Sequence, residues 1–225
     1  MEPSQFVTAI YRFVVLLFSL SVHESAHAWT ASRLGDQTSR MQGRISLNPM
    51  VHIDPIGTLL FPAIAIFGPL FGLGIGSFMV GWAKPVMVNT RNFRKITRDD
   101  NLVSIAGPVS NLLLALLATL FLAGIVAYGH SLPLGVHAPQ GMITLAHICE
   151  IAMQINLALF FFNLLPIPPL DGSHVLRNAL PYNTLHAFDR IGMLSYVLII
   201  VIGAPFVSFM MGPALNVLYA VLAHV

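Results

Sequence analysis

The sequence predicts an all-α polytopic membrane protein with about four to six transmembrane helices, a re-entrant loop and short β-strands. The first observation is composition, because 56% of the 225 residues are hydrophobic and only 9% are charged. Soluble domains carry about 25% charged residues, so this chain has too few charges to cover a surface that faces water. The second is that the apolar residues form long runs, and the third is that Lys and Arg collect between those runs.

Four apolar runs are long enough to cross a bilayer, which takes about 20 mainly apolar residues in a helix. They cover residues 6–29, 102–128, 143–165 and 191–222. The last run contains Gly203, Ala204 and Pro205, so both one tilted helix and two half-helices remain open. The first run is not expected to be a cleaved signal peptide, because the residues before it carry no positive charge.

A fifth apolar stretch, residues 56–80, is rich in glycine and proline, which disfavours a single straight crossing. Both of its flanks are basic, with Arg40 and Arg44 before it and Arg91 and Arg94 after it. Because basic loops favour the cytoplasm, both ends of the stretch are expected on that side. We therefore expect a re-entrant loop or short hairpin that lies against protein or a water-filled cavity.

The flanks of this stretch and the remaining loops complete the predicted topology. Alternating residues at 42–47 and 78–88 predict two short strands, which could pair with each other or hold an extended peptide along an edge. The loop 129–141 has no Lys or Arg and is expected outside, whereas Arg177 and Arg190 favour the cytoplasm for the segment after the third crossing. The amino terminus is then expected outside.

The first chemical motif is His23-Glu24-Ser25-Ala26-His27, which ends the first apolar run. Residues four apart share one face of a helix, so His23 and His27 can both bind one metal ion. Two imidazoles and a carboxylate suit zinc, and Glu24 can act as the general base without binding the metal. Ionisable residues within membrane helices are costly and usually functional, so we expect a metal site here.

This motif requires a third ligand, and the carboxylates at membrane depth are Glu150 and Asp171. Asp171 ends a segment, residues 163–172, whose three prolines prevent a regular helix, so its carboxylate can turn into the bundle. Read alone, that segment is also a helix end followed by an Asp-Gly turn. Glu150 lies about one membrane thickness away, near the outer end of its helix. Asp171 is therefore the favoured ligand.

Together the two motifs resemble the site-2 protease family of intramembrane metalloproteases, peptidase family M50. That family pairs an HExxH helix with a distant N-x-x-P-x-P-x-L-D-G segment, and residues 23–27 and 163–172 match both patterns fully. The resemblance extends over residues 6–180 and is to the compact bacterial type without a PDZ domain. Further similar stretches are residues 43–49, 52–57, 81–86 and 106–111.

The resemblance implies an enzyme with one Zn²⁺ per chain. His23, His27 and Asp171 would bind the ion and Glu24 would be the catalytic base. Asn163 would hold the substrate backbone, and Asn111 would either do the same or form an interhelical hydrogen bond, with neither favoured. His52 and Asp54 could be further ligands, but a role in the turn of the re-entrant loop is favoured.

The implied function is an intramembrane zinc metalloprotease that hydrolyses peptide bonds within or near transmembrane segments, in regulated intramembrane proteolysis. Its partners would be the lipid bilayer and a transmembrane protein or peptide substrate, without nucleic acid; a regulatory membrane partner or a homo-oligomer is also compatible. It is expected as a multi-pass protein of the cell (inner) membrane, with its active site towards the cytoplasm. We expect one membrane-embedded domain over residues 1–225, with its core at 6–180 and a C-terminal helical segment at 191–222.

Two other classes of protein also compete for this sequence. A metal transporter should carry polar residues along several helices, whereas here they concentrate at the ends of two. A non-catalytic scaffold of the same fold is disfavoured because every position of the two motifs that carries chemistry is intact.

Overall fold

The computed structural model describes residues 3–72, 83–133, 136–192 and 194–224. These segments are mainly helical and contain no β-strand, so the prediction of an all-α fold is confirmed for the described residues. Their α-helices are α1 (Pro3–Leu34), α2 (Thr38–Met41), α3 (Phe61–Phe67), α4 (Ile96–His130), α5 (Gln140–Asn163), α6 (Asp171–Ala179), α7 (Tyr182–Asp189), α8 (Leu194–Leu198) and α9 (Ala204–Ala223).

All four predicted crossings appear as helices long and apolar enough to span a membrane. Three of them are α1, α4 and α5, and the fourth is the continuous span Leu194–Ala223. A π-helical turn, Ile199–Gly203, joins α8 to α9 within that span. Pro205 follows it in the first turn of α9, where a missing N–H is tolerated. The C-terminal run is therefore one helical span with a widened turn, and not two separate half-helices.

The core of the molecule is a bundle of α1, α4 and α5, in which each helix packs against the other two. The bundle buries polar side chains, including Ser19, His23 and His27 on one face of α1. Its outer faces are apolar, and Leu120 and Phe121 of α4 are each 67% exposed. Polar groups inside and apolar groups outside are what a bundle in lipid requires, because only the interior offers hydrogen-bond partners.

The stretch expected to re-enter the membrane begins as a short apolar helix, Pro55–Phe71, that runs beside α1. Its far end approaches the amino-terminal part of α1, where the Phe67 ring lies 5.8 Å from Phe6 and 5.9 Å from Phe13. This helix is about 25 Å long, which is less than the thickness of the hydrocarbon core. The return half of the predicted hairpin falls at residues 73–82, outside the described residues.

The first predicted strand, at residues 42–47, does not form. Gly43 has a φ of +71° in a turn that follows α2, and the Arg44 backbone N–H donates to the Ser39 carbonyl. Ser46 uses its backbone N–H and carbonyl to bind the Ser25 hydroxyl of α1. The prediction was wrong because these backbone groups pair with a turn and a side chain instead of a second strand. The other predicted strand lies partly outside the described residues, and its remainder, 83–88, is not a strand.

The loop between α5 and α6 is fixed by an apolar cluster. Leu165, Ile167 and Leu170 of the loop are buried together with Ile199 from the C-terminal span. Phe206 at the start of α9 packs against the same cluster. The C-terminal span therefore holds the loop that ends at Asp171.

Candidate active site

His23 and His27 lie on the same face of α1, as their spacing predicts. Their side chains are buried, and their Nε2 atoms are 3.1 Å apart. The two rings stand nearly perpendicular, with centroids 4.7 Å apart. Both imidazoles thus direct the same nitrogen to one point inside the bundle.

Asp171 reaches this point from the first turn of α6. One of its carboxylate oxygens lies 3.1 Å from His23 Nε2, and the other lies 3.4 Å from His27 Nε2. The approach requires Gly172 next to it, since a Cβ there would lie 2.2 Å from the Leu164 carbonyl oxygen. The Asp-Gly pair therefore lets the start of α6 press against the end of α5 and places the carboxylate beside the histidines.

The hydrogen bonds of the two Nδ1 atoms determine which nitrogen of each ring carries the proton. His27 Nδ1 lies 2.7 Å from the Val103 carbonyl, which can only accept, so this nitrogen carries the proton. His23 Nδ1 donates in the same way to Asn111 Oδ1 at 3.1 Å. In their neutral forms both rings then present an unprotonated Nε2 to Asp171. Two imidazole nitrogens and the Asp171 carboxylate, all able to donate an electron pair, then converge on one point.

This arrangement fits a bound zinc ion. Among the described residues, His23, His27 and Asp171 form the group of side chains that could hold a metal ion, with candidate ligand atoms within 4.8 Å of one another. Zinc binds imidazole nitrogen and carboxylate oxygen at about 2.0–2.2 Å, and the tetrahedral angle then separates neighbouring ligands by about 3.3 Å. The two Nε2 atoms are 3.1 Å apart, close to that value, and each lies 3.1 to 3.4 Å from a different oxygen of the Asp171 carboxylate. A cation would also relieve the repulsion among the three donors.

Glu24 follows the first histidine and is half-buried. Its carboxylate makes no hydrogen bond or ion pair with another described residue, which leaves it available to a water molecule. Glu150, the alternative third ligand, is elsewhere: its Oε1 accepts a hydrogen bond of 2.8 Å from the Tyr219 hydroxyl. The structure thus brings Asp171, and not Glu150, to the histidines.

The two asparagines occupy different surroundings. Asn111 is fully buried and forms the interhelical hydrogen bond to His23, so this alternative is the one that the structure contains. Asn163 is the last residue of α5, half-buried, and its amide N–H donates to the Leu159 carbonyl at 3.0 Å. A contact between either residue and a substrate stays a prediction.

His52 and Asp54 shape the loop before Pro55, as favoured. The His52 ring donates to the Ser46 carbonyl at 2.9 Å. Asp54 caps the following helical turn, accepting from the backbone N–H groups of Ile56 and Gly57. Neither side chain belongs to the group of metal-binding residues.

Sequence reasoning assigned no role to Gly107, although it lies in a matched stretch. A Cβ on this residue would lie 2.3 Å from His27 Nε2 and 2.6 Å from His23 Nε2. The backbone of α4 therefore forms a wall directly against both imidazoles. A glycine inside an otherwise Leu- and Ala-rich membrane helix was the available signal, but only the packing shows what it faces.

Comparison with known proteins agrees with this geometry. The sequence model of peptidase family M50 matches residues 11–204. The chain belongs to peptidase family M50. It is 37% identical over 207 residues, 92% of this chain and 86% of the relative, to a Bacillus subtilis protein named "Putative zinc metalloprotease YwhC".

Two mycobacterial relatives of this M50 protein bear the name "Putative zinc metalloprotease Rip2". The Mycolicibacterium smegmatis relative is 29% identical over 89% of this chain and 66% of its own length. The relative from Mycobacterium tuberculosis strain H37Rv is 31% identical over 83% of this chain and 63% of its own. No solved structure matches the chain. The M50 protein is thus a zinc metallopeptidase of the site-2 protease type in a membrane-spanning fold.

Proposed function

We propose that this M50 metallopeptidase cleaves peptide bonds within or near transmembrane segments of other membrane proteins, in regulated intramembrane proteolysis. The observation that carries the proposal is the position of the His23, His27 and Asp171 donors, which meet inside a bundle of membrane-length helices. His23 lies eleven residues before the end of α1, or about 16 Å along the helix. This position along α1 supports cleavage of peptide bonds at or near the membrane surface.

The chemistry follows from the side chains at the site. His23, His27 and Asp171 would hold the zinc ion, which when bound supplies Lewis-acid polarisation of a water molecule and a peptide carbonyl. Glu24 takes a proton from the water as its oxygen bonds to the carbonyl carbon. Glu24 then gives the proton to the leaving nitrogen as the C–N bond breaks. The Glu24 carboxylate has no hydrogen bond or ion pair within the described part of the chain, which supports this role.

A place for an extended substrate lies along the face of α1 that carries Ser25. A cavity of about 330 Å³ separates the α1 side chains Ala26 and Trp29 from the segment Ile45–Leu47. Ser46 binds α1 through Ser25, whereas the backbones of Ile45 and Leu47 make no hydrogen bond with described residues. Free backbone groups at alternate residues suit pairing with an unwound peptide, and the apolar lining suits its side chains. A transmembrane helix must unwind before this pairing can occur.

The proposed location is the cell (inner) membrane, with the site open towards the cytoplasm. The basic residues near both motifs support this orientation, since Arg33 lies in the last turn of α1 and Arg177 lies in α6. The exposed cations Arg91 and Arg94 precede α4, and the exposed Arg98 lies in its first turn.

The decisive experiment is Glu24→Gln in proteoliposomes that contain a model transmembrane substrate. We expect cleavage to fall to background while bound zinc stays at the wild-type level, because the amide cannot take a proton but the three ligands remain. The matched control is Glu150→Gln, which alters the other intramembrane glutamate and should leave cleavage intact. Retained cleavage in Glu24→Gln would refute the base assignment, and zinc transport without cleavage by the wild type would refute the proposed function.

A further inference from the structure

We infer that one face of α4, formed by Val103, Gly107 and Asn111, positions both histidines and sets how tightly the zinc ion is held. The three residues are spaced four apart, so they form a stripe along the helix. The inference rests on the proposed role of His23 and His27 as ligands. It concerns the affinity of the site for zinc, which can be measured without any substrate.

Asn111 fixes the ring of His23. It is fully buried, and its Oδ1 accepts the Nδ1–H at 3.1 Å. Without this acceptor the ring could rotate, or shift its proton to the nitrogen that faces the ion. A hydrogen-bond partner on the outer nitrogen of a histidine ligand typically contributes 10- to 100-fold to metal affinity.

Val103 and Gly107 complete the stripe. The Val103 carbonyl accepts the Nδ1–H of His27 at 2.7 Å, so each ring has its own acceptor on α4. Gly107 lies between the two acceptors, and a methyl group there would come within 2.6 Å of the inward nitrogens of both rings. The glycine therefore leaves open the space on which the three donors converge. The acceptor at Val103 is a backbone carbonyl, which a substitution does not remove. The contributions of Asn111 and Gly107 can be tested by substitution.

The alternative is that Asn111 only stabilises the packing of two membrane helices through this hydrogen bond. Such a bond would affect the stability of the zinc-free protein and leave the affinity for zinc unchanged. If Asn111 positions His23, its loss should weaken zinc binding and leave the zinc-free protein folded. The effect should depend on the acceptor oxygen and not on the shape of the side chain.

The experiment compares Asn111→Leu and Asn111→Asp in the full-length protein in detergent, with zinc affinity measured by competition against a chelator. We expect Asn111→Leu to bind zinc 10- to 100-fold more weakly, and Asn111→Asp to keep wild-type affinity, because aspartate retains an acceptor oxygen at that place. The control is Thr119→Val, since Thr119 is also buried in α4 but bonds its own helix at the Ala115 carbonyl. It should bind zinc as the wild type does.

Three results would overturn the role of Asn111. They are wild-type zinc affinity in Asn111→Leu, equal weakening in Asn111→Asp and Asn111→Leu, and loss of helical structure in zinc-free Asn111→Leu. The last would assign Asn111 to packing alone.

A second pair of variants tests the space beside Gly107. Gly107→Ala should lose bound zinc and keep its helical content, whereas Gly124→Ala on the same helix, with nothing within 4 Å of its Cβ, should bind zinc normally. Wild-type zinc binding by Gly107→Ala would refute the assignment, as would unfolding of its zinc-free form. Wild-type protein that binds zinc but cleaves no transmembrane peptide would refute the proposed function and leave this inference standing.

Discussion

At the scale of single residues, the site brings together three electron-pair donors, which repel one another unless a cation lies between them. The Asp171 carboxylate meets two imidazole nitrogens whose protons are on the far side of each ring. An isolated carboxylate at this depth would cost free energy, because few hydrogen-bond donors are available to it. The charge of Asp171 is therefore best explained by its attraction for a metal ion.

We predict that Asp171→Ala lowers the zinc content of the purified protein. Removing one of three protein ligands leaves two imidazoles, which hold the ion far less tightly. Zinc per chain can be measured by elemental analysis after dialysis against a weak chelator. Asp189→Asn is the control, since Asp189 is an exposed carboxylate that pairs with Arg177 away from the histidines. Unchanged zinc in Asp171→Ala would mean that another residue supplies the third ligand.

Asp36 is a second residue that carries a buried charge, just beyond α1. Its carboxylate accepts hydrogen bonds from Thr38, from the Asn89 backbone N–H and from the Asn92 amide. Burial raises the pKa of Asp36, but these hydrogen bonds outweigh it and hold the pKa below its usual value. The ionised carboxylate thus ties the end of α1 to the turn before α4.

The depressed pKa makes this contribution to stability dependent on pH. It is present above the pKa of the unfolded chain, about 3.9, and is lost as the pH falls through the lower pKa of the folded state. We predict that Asp36→Asn costs about 1.5–3 kcal/mol at pH 7, the value of a hydrogen bond to a charged group. Thermal melts in detergent should show the gap from wild type narrowing below about pH 4. A gap that is constant over that range would contradict the prediction.

At the scale of helices, α9 is held to the bundle by few polar contacts. The Tyr219 hydroxyl donates to Glu150 Oε1 at 2.8 Å, and Gln154 of α5 donates to the same hydroxyl at 3.1 Å. At the other end of the span, Ile199 and Phe206 pack on the loop that carries Asp171. The C-terminal span therefore has a polar attachment at one end and an apolar attachment next to the site.

We predict that Tyr219→Phe weakens the attachment of α9 and leaves zinc binding intact. Interhelical hydrogen bonds in membranes contribute about 0.6 kcal/mol on average and up to about 1.7 kcal/mol. The free energy of unfolding should fall by that amount, and hydrogen exchange should rise in α9 before it rises in α5. Tyr182→Phe is a suitable control because Tyr182 is 76% exposed. Loss of zinc from Tyr219→Phe would show that the attachment acts on the site itself.

At the scale of the whole molecule, the proposed orientation puts the α4–α5 loop outside and α7 in the cytoplasm. Cys149 is the sole cysteine, so a Cys149→Ala background allows single cysteines to be introduced at the exposed Ser131 and Thr184. We expect a membrane-impermeant maleimide to label Ser131→Cys in intact cells and Thr184→Cys only in inverted vesicles. The reverse pattern would mean that the active site faces the other side.

The crossings were predictable because hydrophobic length is a local property of the chain. The structure places Asp171, and not Glu150, beside the histidines, which the positions of the two residues at opposite ends of one crossing had favoured; the role of Asp171 as a ligand stays a prediction. The strand at 42–47 was not predictable, since Ser46 pairs with a hydroxyl on a distant helix. Gly107 was missed for a similar reason: its importance depends on which face of α4 turns towards α1, and an evenly apolar helix does not reveal this.

The wide separation of the two motifs has a consequence for biosynthesis. His23 and His27 leave the ribosome about 145 residues before Asp171, which at normal elongation rates takes about 7 to 30 s. During that interval the nascent chain lacks the carboxylate, and α4 and α5 must still enter the bilayer before the three side chains can meet. A stalled or truncated chain that ends before α6 would lack Asp171 and would then be an inactive membrane peptide. Late completion of the centre would keep the chain inactive until the helices of the bundle are all in the membrane.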